Sequence, residues 1–479
     1  MDRRDCLRRA ASAAAGLACA RLGGAAPALA GRKPNIVFIL TDDQGYGDLG
    51  CHGNPVLKTP NLDRLHREGV RFVDCHVSPT CSPTRSALMT GRHEFRNGVT
   101  HTIYERERLT LKATTVAQVL KGAGYATGIF GKWHLGDEAE YQPNRRGFDE
   151  VFIHGAGGIG QTYAGSCGDA PGNTYFDPAI LHNGTFEKTK GYCTDVFFAQ
   201  ALRWIEATKG RQPFFAYITP NAPHAPLHCP PEWVAPYQGK VPAATASFFG
   251  MIANIDANVG TLLDKLAAWG LERDTLVVFM NDNGGTAGVK LFNAGMREGK
   301  GTPYVGGTRA VSLWRWPGTL AAGVDVDRLT AHLDFFPTVA ELAGASCPPG
   351  QVEGRSLVPL LLDRAAPWAD RTLVTHVGRW AKGEAAGAKF SHASIRNGRY
   401  QLVYSRGGAG LALYDVRADL AETTDVSGQH PDVVRELNGA YDRWWDEIQP
   451  CLVNENVIGP RVNPFKALYY QQFGGGPAN

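Results

Sequence analysis

The chain predicts an α/β fold: a mainly parallel central sheet flanked by helices, followed by a smaller C-terminal antiparallel sheet plus helix. Two patterns carry that prediction. Short apolar runs at residues 36–40, 127–130, 214–218 and 276–280 each end abruptly in polar or charged residues, and stretches of helical apolar spacing lie between them. Continuous apolar runs suit strands covered on both faces, and strands alternating with helices pair in parallel.

The intervening helices are expected at 61–72, 115–121, 195–209 and 247–269, with one more at 333–343. Pro348, Pro349 and Pro367 then punctuate a link, and a second unit is expected from Arg371. Its strands fall at 394–395, 400–404 and 411–416. Val433, Val434, Leu437, Tyr441, Trp444 and Ile448 recur at helical spacing, so a closing helix would press one face onto that small sheet. The expected division is a leader over 1–30, a main domain over 31–370 and a smaller α+β unit over 371–479.

With 479 residues and 43% of them hydrophobic, the chain can bury a large core. Its 49 basic and 46 acidic residues are interspersed and leave a net charge of +3, so no basic stripe argues for nucleic acid and no acidic block for disorder. Arg3, Arg4, Leu7 and Arg8 precede an alanine-rich run ending in Ala28-Leu29-Ala30, the pattern of a cleaved leader with a mature start near Gly31. The paired arginines look like a twin-arginine signal read by export machinery, which implies a bacterial source and a periplasmic or secreted destination. An ordinary signal peptide is the alternative; a lipoprotein reading at Cys19 is weaker, because Leu17 stands one position too close. No later apolar run is long enough to span a bilayer, so no stable membrane insertion is expected. Cys51, Cys75, Cys81, Cys167, Cys193, Cys229, Cys347 and Cys451 follow the leader without a regular framework. A staple between Cys167 and Cys193 is one option.

In open parallel sheets ligands bind beyond the carboxyl ends of the strands. Asp42-Asp43, Gly131-Lys132-Trp133-His134, Pro220 to His224 and Asp282-Asn283-Gly284 all fall on that edge. Separate from them stands Pro79-Thr80-Cys81-Ser82-Pro83-Thr84-Arg85, running on to Met89-Thr90-Gly91. Pro83 suits the first turn of a helix, so Cys81 sits where backbone N–H groups favour negative charge, and Arg85 adds a cation one turn on. A lone cysteine at a helix start is ordinarily a buried small hydrophobe. Asp-Asp after a strand is by itself more often a cap, and Asn-Gly a turn.

The Cys81 stretch resembles the first motif of the formylglycine-dependent, arylsulfatase-like sulfatase family of the alkaline phosphatase superfamily. Gly124 to His134 resembles its second signature, with Phe130 bulkier than expected, a matter of packing. The resemblance covers Asn35 through the closing helix, Leu413-Tyr414-Asp415 included, and implies an alkaline-phosphatase-like fold and hydrolysis of sulfate esters. It implies that Cys81 is oxidised by a transient formylglycine-generating enzyme to formylglycine (3-oxoalanine), whose hydrate carries two hydroxyls on one carbon. One attacks sulfur; the other later expels sulfate as the aldehyde reforms. If Cys81 is consumed, seven cysteines remain and at least one stays unpaired.

By the same resemblance Asp42, Asp43, Asp282, Asn283 and the oxygen at position 81 form a hard, oxygen-only cage for Ca²⁺, or Mg²⁺. Arg85 and Lys132 hold the diol, His134 takes a proton during sulfate release, and His224 and Lys300 bind sulfate and assist the leaving oxygen. Lys132 contributes to substrate binding as well. Val305 departs from the pattern, where many relatives carry an acid. A sulfate ester is a diffuse monoanion with a poor leaving alkoxide, so such a site must stabilise charge on the bridging and equatorial oxygens.

The expected substrate is a sulfated small molecule or saccharide. The alternatives are a phosphonate or phosphate ester hydrolase and an inactive glycan-binding homologue. Two-metal phosphatases would need further ligands where Lys132 and Lys300 stand. Trp444-Trp445 and Leu313 to Trp316 suit core packing better than sugar stacking. His101, Tyr104, Arg106, His228 and His376 are candidates for the pocket border without an assigned role.

Overall fold

The computed structural model describes residues 29–103, 105–161, 168–408 and 410–475. The leader up to residue 28, Cys19, Tyr104 and Cys167 lie outside the described residues. Cys193 is a buried free thiol with its Sγ 3.6 Å from Asn221 Oδ1.

In chain order the first strands are β1 (Asn35–Thr41), β2 (Val70–Phe72), β3 (Cys75–His76), β4 (Ala126–Lys132), β5 (Glu150–His154), β6 (Ala179–His182) and β7 (Thr185–Lys188). After them come β8 (Phe214–Thr219), β9 (Thr275–Asn281), β10 (Ser312–Arg315), β11 (Val324–Val326) and β12 (Thr330–Ala331). The main sheet has ten strands in the order β11-β2-β10-β9-β1-β8-β4-β5-β6-β7. From β9 to β5 every pairing is parallel, whereas β10, β6 and β7 join antiparallel at the margins. The predicted apolar runs are the adjacent strands β9, β1, β8 and β4. Along β1, Ile36, Phe38 and Leu40 enter one core cluster while Val37 and Ile39 enter the other, so both faces are covered and the run is apolar throughout.

Helices Pro60–Arg67, Val116–Gly122, Cys193–Thr208, Ala243–Ala268 and Phe335–Ala343 take the predicted places. The helix Val116–Gly122 opens on a capping box between Thr115 and Gln118. The stretch 61–72 is corrected: the helix ends at Arg67, and Val70-Arg71-Phe72 alternates buried, half-buried, buried as a strand of the sheet. Leu313 to Trp316 carries β10, with Trp314 and Trp316 buried in the core. Phe130 is buried on β4 against Trp204, ring centres 5.6 Å apart.

The second sheet orders β13 (Leu373–His376), β14 (Ala393–Arg396), β15 (Tyr400–Tyr404) and β16 (Leu411–Asp415) as antiparallel neighbours. Helix Pro431–Ile448 packs Leu437, Tyr441, Trp445 and Ile448 into its core. A last helix, Pro464–Phe473, returns to the main sheet, where Gln472 donates to Phe186 O and accepts from Phe186 N, both at 2.7 Å. The two sheets are tied by a buried ionic seam. Asp74, between β2 and β3, meets Arg396 at 3.2 Å, Arg417 at 3.2 Å and His76 at 2.9 Å.

Candidate functional site

The carboxyl ends of β9, β1, β8 and β4 gather the predicted polar clusters onto one edge. Asp42 and Asp43 leave β1, and Asp282 and Asn283 leave β9 in register beside them, Asp282 N donating to Thr41 O at 3.0 Å. Asp43 adopts a left-handed backbone, φ 69°, which an aspartate tolerates better than most residues. Its N–H donates to Asp282 Oδ1 at 3.2 Å, and Asn283 Nδ2 donates to Asp43 Oδ1 at 3.1 Å. Asn283 Oδ1 is buried without a partner among the described residues.

Cys81 is the first residue of the entirely buried helix Cys81–Thr90. Its Sγ lies 3.3 Å from Asp42 Oδ1 and 3.3 Å from Lys300 Nζ. The Lys300 loop is fixed at both ends of the site, by Lys300 N to Gly285 O at 3.1 Å and Gly301 N to Pro79 O at 2.8 Å. Its ammonium is hydrogen-bonded to Asp43, and that of Lys132 to Asp42. Arg85 turns back into the fold: Nη2 and Nε donate to Asp282 Oδ2 at 2.8 and 3.2 Å, and Nη1 to Lys132 O at 3.1 Å and to Thr219 Oγ1. Thr219, at the polar end of the predicted 214–218 run, thus closes the β4–β8 junction. It carries no motif of its own. Gly131 explains the spacing before Lys132, since a Cβ there would stand 2.1 Å from Thr219 O.

The two histidines are set by carbonyls, which can only accept. His134, at φ 58°, places Nε2 3.0 Å from Thr102 O, so Nε2 carries the proton and buried Nδ1, which has no partner among the described residues, keeps its lone pair. His224 places Nδ1 2.7 Å from Ala225 O, leaving Nε2 as the acceptor, 3.8 Å from Asp43 Oδ2. Burial and Lys132 hold His134 well below the ordinary histidine range; burial also lowers His224 although Asp43 and Asp42 oppose it. Both shifts favour the neutral imidazole.

The carboxylates are crowded. Burial disfavours the charge of Asp42, yet Lys132, His224, Arg85 and Lys300 outweigh it and keep that group ionised. Burial and Asp42 push Asp282 up to about 7 against the pull of Arg85. Lys300 is held above the ordinary lysine range, because Asp43 and Cys81 overcome its burial. Burial and Asp42 push the Cys81 thiol up to about 12. Such a thiol stays protonated near neutral pH and is a poor nucleophile and a poor partner for a hard cation. Ligand atoms of Asp42, Asp43, Cys81 and His224 lie within 4.8 Å of one another. Like-charged carboxylates, one of them raised, beside an orphaned amide oxygen are a donor set that fits a hard divalent cation.

The position of Val305 is answered from afar. Its N–H at a short helix start donates to Oε2 of buried Glu422 at 2.9 Å, so a carboxylate reaches this point from beyond β16. Among the border candidates, Arg106 pairs with Glu455 at 3.1 Å and His376 stacks on Trp445 at 5.3 Å, both as internal contacts. His228 accepts from Tyr192 Oη through its carbonyl at 3.0 Å.

Residues 34–345 match the family model described as Sulfatase, and residues 304–442 that of N-sulphoglucosamine sulphohydrolase, C-terminal. Arylsulfatase A of Homo sapiens is 37% identical over 361 residues, 69% of this chain and 68% of that protein. Arylsulfatase G of Mus musculus is 34% identical over 422 residues, 79% of this chain and 77% of that protein. The solved structure of Ps i-CgsB in complex with k-i-k-neocarrahexaose superposes with a TM-score of 0.79 at 28% identity, covering 92% of this chain and 97% of that one.

Proposed function

We propose that this chain, which belongs to the sulfatase family and is a sulfuric ester hydrolase, acts on a sulfated saccharide through a nucleophile made from Cys81. The observation that carries the reading is the setting of Cys81. A thiol pushed up to about 12 stands at a helix start, within 3.3 Å of both a carboxylate and an ammonium. As cysteine it is ill suited to every neighbour. Conversion to formylglycine supplies an oxygen nucleophile at that position, as the motif resemblance implies. Asp42, Asp43, Asp282 and Asn283 Oδ1 would hold Ca²⁺ or Mg²⁺, and such a cation supplies positive charge to the sulfate oxygens.

The other side chains then have definable tasks. Lys300 and Lys132 bring fixed ammonium groups to a sulfate monoanion, and stabilising developing oxyanion charge in a dry site usually contributes more to the acceleration than any other single effect. His224 Nε2 faces the Asp43 side of the cluster and serves the leaving oxygen once protonated. His134 Nδ1, with its lone pair unengaged, accepts a proton in sulfate release. Arg85 spends its donors on Asp282, Thr219 and the end of β4, so its main task is to fix the position of those groups. The k-i-k-neocarrahexaose in the Ps i-CgsB complex supports a saccharide substrate here, and the arginine-bearing leader supports export to the periplasm or beyond.

Peptide mass spectrometry at position 81, combined with turnover of an aryl sulfate, an aryl phosphonate monoester and defined sulfated saccharides, tests the reading. An active protein with unmodified Cys81, or faster turnover of the phosphonate, would overturn it.

A further inference from the structure

The loop between β13 and β14 carries a cation to the rim of this site. Gly378 and Arg379 both have left-handed backbones, φ 65° and 59°. A Cβ at Gly378 would stand 2.0 Å from Thr100 O, so glycine is what lets the loop press onto residue 100. Arg379 N donates to Thr100 O at 3.2 Å and Val377 N to His392 O at 3.1 Å. On the other side Trp380 Nε1 donates to Glu455 Oε2 at 2.6 Å, its carbonyl accepts from Arg106 Nη1 at 2.7 Å, and its ring meets Phe95 edge-on at 5.5 Å. The mount is therefore held on both flanks.

The side chain it presents is exposed. Its guanidinium donates to Thr102 Oγ1 at 3.3 Å, and the carbonyl of that same Thr102 accepts from His134 Nε2 at 3.0 Å. One residue bridges the cation and the imidazole of the site. Among the described residues Arg379 makes no ion pair with a carboxylate. The titratable groups around it include His101 and His392, neither of which carries negative charge; Arg106 also acts on His101, and Arg406 and Glu298 act on His392. A non-glycine residue in the left-handed region is strained, and no ion pair among the described residues offsets that strain at Arg379.

We propose that Arg379 is a specificity-determining residue that recognises a second anionic group, a carboxylate or a further sulfate ester, on the saccharide whose scissile sulfate lies at Cys81. A planar guanidinium matches either oxyanion through paired hydrogen bonds. The inference rests on the sulfatase reading of the same site.

The test compares wild-type full-length chain with R379N, which keeps a left-handed backbone accessible, and R379K. Each is assayed on an aryl sulfate, a monosulfated disaccharide bearing a uronate, and a disulfated disaccharide without one. R379N is expected to lower kcat/KM on one or both acidic disaccharides at least about tenfold more than on the aryl sulfate, chiefly through KM, as for a lost charge-assisted contact. R379K should fall between. Which disaccharide is affected identifies the anion, and equal losses on all three substrates, or none, would overturn the proposal. Wild-type protein inert on every substrate would instead count against the hydrolase reading. Calorimetric binding of the uronate-bearing and disulfated disaccharides to wild type and R379N then decides the matter: tenfold weaker binding of either to R379N supports the proposal, and equal affinities for both refute it.

Discussion

Two buried clusters of charge in this molecule are built to opposite rules. In the seam, Asp74 is enclosed by Arg396, Arg417 and His76, all within 3.2 Å. Burial opposes its charge, but Arg396, His76 and Arg417 together hold its carboxyl far below the usual range. At the strand ends the balance is unfinished: Asp282 is raised to about 7, and Asn283 Oδ1 and His134 Nδ1 are buried without partners among the described residues. A closed cluster holds two sheets together. An open one keeps capacity for a cation and a substrate.

The difference can be broken first at the seam. Asp74→Ala strands the buried guanidinium of Arg396, and removing one partner of such a group typically costs about 3–5 kcal/mol. Denaturant unfolding should show that loss, while kcat/KM per folded molecule stays near wild type. The reverse is expected for Asp282→Asn: turnover falls about 100-fold or more, roughly 3 kcal/mol of transition-state stabilisation. Stability measured with chelator should fall less than in Asp74→Ala, because the asparagine keeps an acceptor for Arg85 and a disfavoured buried charge is removed. A D282N as destabilised as D74A would mean that the strand-end cluster is a structural network after all.

A third expectation concerns pH. Burial and Arg396 push His76 down to about 4 from 6.5. The unfolded chain therefore binds the proton more readily, and the stability this histidine contributes is present above about 6.5 and lost as pH falls through 4. Asp74, lowered from 3.8, adds a loss that begins near 3.8 and continues downward. Across pH 7 to 4 this histidine should account for about 3 kcal/mol of the change in unfolding free energy, read as the difference between wild type and His76→Gln over that range. At the solvent end of the seam Arg417 also meets Asp327, whose side chain is 64% exposed. Asp327→Asn should change stability by no more than about 0.5 kcal/mol, and a larger effect would extend the closed cluster to the surface.

The elements that were legible in sequence are those whose signal is local. The four central strands are continuous apolar runs because both faces are covered, and the Cys81 helix announces itself through Pro83 and the residues around it. Legibility failed where period changed within a few residues, as at Val70 to Phe72, and where short marginal strands such as β6 and β7 lack an unbroken apolar run. In the site, the predicted residues were found by motif, whereas Thr219 and Arg379 have none. Thr219 matters because β4 and β8 lie side by side, and Arg379 because Gly378 presses its loop onto Thr100.

The residue types at the strand ends, the parallel core that brings those ends together, and the helix start that exposes position 81 to backbone N–H groups are all written in local sequence. Periodicity, turn chemistry and apolar runs are properties of neighbouring residues, so they are written along the chain. Only the tertiary structure decided which charges are paired and which are left open. Glu422 supplying a carboxylate to Val305, Arg85 turned inward onto Asp282, and Arg379 reaching the rim through Thr102 all join residues more than 100 positions apart or on different sheets. Electrostatic interaction depends on distance and burial, and neither is a property of sequence spacing.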